Sequence, residues 1–119
     1  MKKKIIKFIL KEVFKLINNL KSSNEVKFTI CSTLYNEEKN IIELINEIEK
    51  ISLILKINKV VLLDNGSNDS TKKKLLEITN NKSNFNIISN KKNSNYTNGV
   101  KRLLQETIGE NILIFHSDL

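Results

Sequence analysis

The sequence of 119 residues contains no proline, no tryptophan and no alanine, and it has one cysteine. A lone Cys31 excludes an internal disulfide and suits a reducing compartment. It sits inside an apolar strand pattern, which makes it a buried free thiol. Long apolar runs are also missing. Lys7 and Lys11 interrupt the one near the N-terminus, which excludes both a signal peptide and a membrane span there. No Ser–His–Asp or Cys–His arrangement is evident, and neither a phosphate-binding P-loop nor a dinucleotide glycine motif is present. The body has no excess of positive charge. Net charge is +7, but residues 1–22 hold seven lysines and one glutamate, a sum of +6, while the rest holds thirteen basic and twelve acidic groups, a sum of +1. A nearly neutral body argues against a nucleic-acid interface.

What is present is enough for one small domain with a real core. Residues 1–22 read as a basic amphipathic helix, with Ile6, Ile9, Leu10, Val13, Leu16, Ile17 and Leu20 at helical spacing and lysines on another face. One reading lays this helix on an anionic membrane surface, at the inner face of the cell membrane of a cytoplasmic protein. The other packs it on the domain or on a partner. A linker at residues 22–24 leads to a domain spanning 23–119.

In that domain an apolar run of β-branched character alternates with helical stripes. Strands are expected at 26–33, 60–64, 85–89 and 111–115. Helices are expected from Asn36, from Thr71 to Thr79, and from Tyr96 to Thr107, with Gly109 as a stop. Asn36 is the expected N-cap of the first of these helices, whose apolar positions are Ile41, Ile42, Leu44, Ile45, Ile48, Ile51 and Leu55. Strand followed by helix, repeated, predicts an α/β fold with a Rossmann-like parallel sheet, flanking helices and right-handed crossovers.

Every unusual polar cluster follows a strand: Tyr35-Asn36, Asp64 to Asp69, Asn90 to Lys92, and His116 to Asp118. All four are expected at one edge of the sheet, where open α/β sheets bind ligands. Asp64 and Asp69 can accept hydrogen bonds from a base or ribose. Gly66 would let backbone come close to a ligand. Lys91 and Lys92 could neutralise a diphosphate. His116 and Asp118, at period two, are expected to leave the strand on one side and share a divalent metal, Mn²⁺ or Mg²⁺, with Ser117 pointing away. Each feature has a structural alternative. Asn65-Gly66-Ser67 can be a plain turn, with Ser70 or Thr71 capping the next helix, and His116 can be a capping or core histidine.

Three stretches together carry a resemblance. Thr33-Leu34-Tyr35-Asn36-Glu37-Glu38, Leu63-Asp64-Asn65-Gly66-Ser67-Asn68-Asp69-Ser70-Thr71 and His116-Ser117-Asp118-Leu119 resemble the P-x-Y-N-E-E, V-D-D/N-G-S-x-D-x-T and D-x-D patterns of family 2 glycosyltransferases with the GT-A fold. Tyr96 to Gly99, as Y-x-x-G, and the H-x-D-L ending resemble the polyprenyl-phosphate-sugar synthase-like branch. The resemblance covers about residues 26–119. It implies the nucleotide-binding half of the GT-A fold and a nucleotide-diphospho-sugar donor. Tyr35 and Asp64 would hold the base, with Asn36, Glu37, Asn65, Gly66, Ser67 and Lys91 around the nucleotide-sugar. Asp69 would support the loop or the nucleotide, and Asp118 would bind metal and diphosphate. It also implies a polyprenyl-phosphate or glycan acceptor and a place in cell-envelope glycan biosynthesis.

Two departures stand out: Thr33 replaces the usual Pro, and His116 replaces the first Asp of D-x-D. Members of the family continue beyond D-x-D into an acceptor half that carries the general base, so the base is expected beyond Leu119 and the chain is expected to be incomplete. Two rivals remain, a nucleotidyltransferase, which would need a Gly-rich basic loop where Leu34 to Glu38 stands, and a degenerate nucleotide-binding or membrane-surface module without activity.

Overall fold

The computed structural model describes residues 11–19 and 27–117. Residues 11–19 form helix α1. The elements that follow are β1 (Phe28–Leu34), α2 (Ile41–Leu55), β2 (Lys59–Asn65), α3 (Thr71–Thr79), β3 (Phe85–Asn90), α4 (Tyr96–Glu106) and β4 (Asn111–Ile114). The four strands make one parallel sheet in the order β3-β2-β1-β4. This is the expected Rossmann-like α/β architecture.

The pleat splits the strand residues between two cores. Ile30, Leu34, Val60 and Leu62 face one side, where they pack with Ile41, Ile45, Ile48, Ile51 and Leu55 of α2, Leu75 of α3 and Ile17 of α1. Cys31, Val61 and Leu63 face the other side, against Leu103 of α4. Fully burying an aliphatic side chain contributes about 1.5–3 kcal/mol, so the five α2 residues alone fix that helix on the sheet. Cys31 is the buried free thiol expected, and burial pushes its thiol up to about 11. No helix among the described residues is long and apolar enough to cross a membrane.

Three expectations change. Helix α2 starts at Ile41 with Asn40 as its N-cap position, four residues later than the expected cap at Asn36. Asn36 cannot open it, because Asn36 is left-handed at φ 51° and its backbone N–H and side-chain oxygen are both bonded to the loop after β2. Ile42, expected in the apolar stripe, is 64% exposed. In α1, Val13, Phe14 and Ile17 pack on the domain while Leu16 is exposed, so along residues 11–19 the apolar side faces protein. Residues 1–10 and 20–22 of the expected amphipathic helix lie outside the described residues.

Candidate active site at the carboxyl edge of the sheet

The crossovers through α2 and α3 run on one face of the sheet, and the crossover through α4 runs on the other to bring β4 beside β1. The order in which strands are added therefore reverses between β1 and β4, and such a point opens a crevice at the carboxyl ends of the strands. A cavity of about 330 Å³ lies there, lined by Thr33, Leu34, Tyr35, Glu37, Asn65, Asn93, Ser94, Asn95, Tyr96, His116 and Ser117. A larger cavity, about 720 Å³, lies at the opposite edge of the sheet. Its one acid, Glu110, is already paired with Lys59 at 2.7 Å and accepts from the Thr29 hydroxyl at 2.8 Å. Those two partners hold the Glu110 carboxyl below its ordinary range.

The loops after β1 and β2 are stitched to each other. The Asn36 N–H donates to Ser67 Oγ at 2.9 Å, and the Asn68 N–H donates back to Asn36 Oδ1 at 2.9 Å. Asn68 Nδ2 donates to the Tyr35 hydroxyl at 3.2 Å. The Glu37 N–H donates to Thr71 Oγ1 at 2.8 Å, and the Ser70 N–H donates to Glu38 Oε2 at 3.0 Å. Asp69 is the centre of this seam. Its carboxylate accepts from the Thr71 hydroxyl, from the Thr71 N–H at 2.9 Å and from the Glu38 N–H at 3.4 Å. Desolvation works to raise the Asp69 carboxyl, but these hydrogen bonds outweigh it and hold the group below its ordinary value. Of the two roles expected for Asp69, loop support is the one its contacts display. Ser70 sits at the N-cap position of α3 without a side-chain cap bond, and the bond to the Thr71 N–H comes from Asp69 instead.

Asp64 and Asn65 end β2 side by side and turn to opposite faces. Asp64 is 2% exposed, and among the described residues its carboxylate accepts one hydrogen bond, a long one of 3.4 Å from the Ser67 N–H. Asn65 is engaged throughout. Its Nδ2 donates to the Ser94 carbonyl at 2.7 Å and, longer, to that of Asn95 at 3.5 Å. Its Oδ1 accepts from Asn90 Nδ2 at 2.8 Å and from the Ser94 hydroxyl at 2.8 Å. Asn90 is its in-register neighbour on β3 and is held in turn by Arg102 Nη1 at 2.7 Å. Gly99 of α4 lies close above, where an added Cβ would be 3.1 Å from Asn65 Nδ2 and 3.2 Å from Thr33 Cγ2.

Gly66 departs from its expected role. The backbone it admits is the chain's own: a Cβ there would stand 2.2 Å from the Lys92 carbonyl carbon. Lys91 is exposed and does not line the cavity. Beyond β4 the strand pairing fades, because the regular strand ends at Ile114. Period-two alternation therefore no longer governs His116 and Ser117. Ser117, expected to point away, lines the cavity and donates to Glu37 Oε1 at 3.2 Å. The His116 ring faces that of Tyr96, with centroids 5.2 Å apart. Asp118 lies outside the described residues. Among the described residues no three His, Cys, Asp or Glu side chains gather to hold a metal ion.

The cavity thus brings together Tyr35, Glu37, Asn65 and His116 from the expected set, and Asn36, Ser67 and Asp69 support it from the seam. The wall from Asn93 to Asn95 is not singled out by sequence reasoning. Its one available signal is the run of amide and hydroxyl residues after β3.

A parallel α/β domain with a polar cavity at its switch point defines a broad class of ligand-binding domains, and comparison with known proteins narrows it. The family model described as Glycosyl transferase family 2 matches residues 29–119, and the chain belongs to that family. Among solved structures it is similar to S. aureus TarS, with 29% identity and a TM-score of 0.61 over 78% of this chain and 17% of that one. It is likewise similar to S. aureus TarS 1-349, with 28% identity and a TM-score of 0.57 over 78% of this chain and 28% of that one. The chain therefore spans less than a third of either. No curated protein matches it.

Proposed function

We propose that the carboxyl edge of the sheet binds a nucleotide-diphospho-sugar donor, and that the domain serves sugar transfer to a lipid-phosphate or glycan acceptor. The observation that carries this is Asp64: a carboxylate that is 2% exposed and accepts one long hydrogen bond of 3.4 Å from the described residues. Asp64 does not itself line the cavity, and no buried side-chain oxygen or nitrogen among the described residues lacks a partner; its carboxylate keeps acceptor capacity beyond that one long bond, which an N–H of a nucleotide base can take up. Tyr35 is held by Asn68 beside it, and Tyr96 offers a second exposed ring at the cavity.

In such a transfer an acceptor oxygen, a phosphate oxygen of a lipid phosphate or a hydroxyl oxygen of a glycan, attacks the anomeric carbon. The bond from that carbon to the diphosphate breaks, and the nucleotide diphosphate leaves with the electron pair. A hydroxyl nucleophile gives its proton to a base, whereas an ionised phosphate has none to give. No described residue is assigned as that base. The cavity lining contributes no lysine or arginine. Lys91 is proposed to act on the diphosphate from outside it. Mn²⁺ or Mg²⁺ at His116 and Asp118 belongs to the proposal on sequence spacing alone; when bound, it would neutralise the diphosphate. The polyprenyl-phosphate-sugar synthase-like branch is proposed from Tyr96 to Gly99 and the H-x-D-L ending. Contact with an anionic membrane, at the inner face, is proposed for the lysines of residues 1–22.

Titration calorimetry with uridine and guanosine diphospho-sugars, with and without Mn²⁺, tests the reading. Asp64→Ala should weaken binding by roughly tenfold or more, the loss of one charge-assisted hydrogen bond. Equal affinity in both proteins would sink the assignment, and binding indifferent to Mn²⁺ would remove the metal from it.

A further inference from the structure

We infer that Asn65 is a positioning residue for the donor cavity: it holds the wall formed by residues 93–96 and does not itself contact the donor. The inference rests on the donor-binding reading of this edge. A carboxamide offers two N–H donors and two acceptor lone pairs. In Asn65 both kinds are spent inside the protein, on Ser94, Asn95 and Asn90, and the residue is 4% exposed. Its backbone carbonyl is taken as well, by Asn93 Nδ2 at 3.0 Å. To bond a donor, Asn65 would first have to release the loop.

The loop, in contrast, has little else to order it. Lys91, Lys92, Asn93 and Asn95 are exposed. Asn93, Ser94, Asn95 and Tyr96 all line the cavity, and Asn95 caps α4 through the Asn98 N–H at 2.8 Å. A line of hydrogen bonds therefore runs from Arg102 on α4 through Asn90 on β3 and Asn65 on β2 to Ser94, and it ends at the turn that aims Tyr96 toward His116. Asn90 belongs to this line but does not line the cavity.

That difference supplies the test. Donor affinity and amide hydrogen exchange are measured on the full chain and on Asn65→Ala, Asn90→Ala and the double variant. Both single variants should weaken donor binding, by about tenfold for Asn65→Ala, and the double variant should cost less than the product of the two, since they act along one line. The Ser94 amide, which donates to Asn65 Oδ1 at 3.3 Å, should lose protection in Asn65→Ala while β1 and β2 keep theirs. If Asn65→Ala does not fold, Asn65→Ser, which keeps a small acceptor, is read in its place. Unchanged donor affinity in Asn90→Ala beside a loss in Asn65→Ala, or multiplicative effects, would overturn the inference. So would retained protection at Ser94, whatever the donor does. A full chain that binds no donor counts against the donor reading instead, and the exchange result still decides whether Asn65 holds the loop.

Discussion

Replacing Gly66 with alanine should unhinge the loop after β3 from the end of β2. Two costs combine. Gly66 has φ 70°, where an L-residue is strained by about 1–2 kcal/mol. The new Cβ would also stand 2.2 Å from the Lys92 carbonyl carbon, 2.3 Å from the Asn93 nitrogen and 2.6 Å from the Lys92 oxygen. These are backbone atoms, so no side chain can swing aside. The loop must retreat by about 1 Å or more to reach ordinary carbon contact distances. A shift of that size breaks two bonds, Asn93 Nδ2 to the Asn65 carbonyl at 3.0 Å and the Ser94 N–H to Asn65 Oδ1, already long at 3.3 Å. Two lost hydrogen bonds add about 1–3 kcal/mol. The sum, about 2–5 kcal/mol, is a large share of the 5–15 kcal/mol typical of a domain. The internal control is Gly109→Ala. Gly109 has φ 84° but nothing within 4 Å of its added Cβ, so it bears the strain without the collision. In urea unfolding followed by circular dichroism, Gly66→Ala should lower the midpoint well beyond Gly109→Ala, with the slope unchanged. Equal losses would refute the argument that the approach of Lys92 is what demands glycine.

Three further outcomes follow from the same structure. Lys56→Gly should stabilise the domain by about 0.5–1 kcal/mol, because Lys56 ends α2 in the left-handed region at φ 54°, read by the same urea midpoints. Ile17→Ala should cost about 2–4 kcal/mol, since Ile17 is 2% exposed within the main core; a loss near zero would mean that α1 does not dock in solution. Asp69 and Glu110 both have lowered carboxyls, so the unfolded chain binds the more protons in acid. Their contribution is therefore complete above the ordinary values of 3.8 and 4.5 and is lost as pH falls through the lower folded values, and Asp69→Asn with Glu110→Gln should flatten the acid limb of a thermal-stability profile.

The sequence by itself determined the alternation of strands and helices, because hydrophobic period is a local property. The helix expected from Thr71 to Thr79 has those bounds in the structure, and the four polar clusters do follow the ends of β1 to β4. It also determined the family, since the motifs are contiguous stretches. Tertiary structure alone decided what those motifs touch. Asn36 reads as a helix cap until its partners, Ser67 and Asn68, more than thirty residues away, fix it in the left-handed region instead. Gly66 reads as room for a ligand until the Lys92 backbone is seen to fill that room. Asn65 reads as one more polar residue of a turn, and only the structure shows its amide bonded to Asn90 and Ser94. In each case the deciding interaction joins segments that meet only because β3, β2, β1 and β4 line up in that order, and the spatial order of strands is set by the packing of two cores rather than by any local pattern.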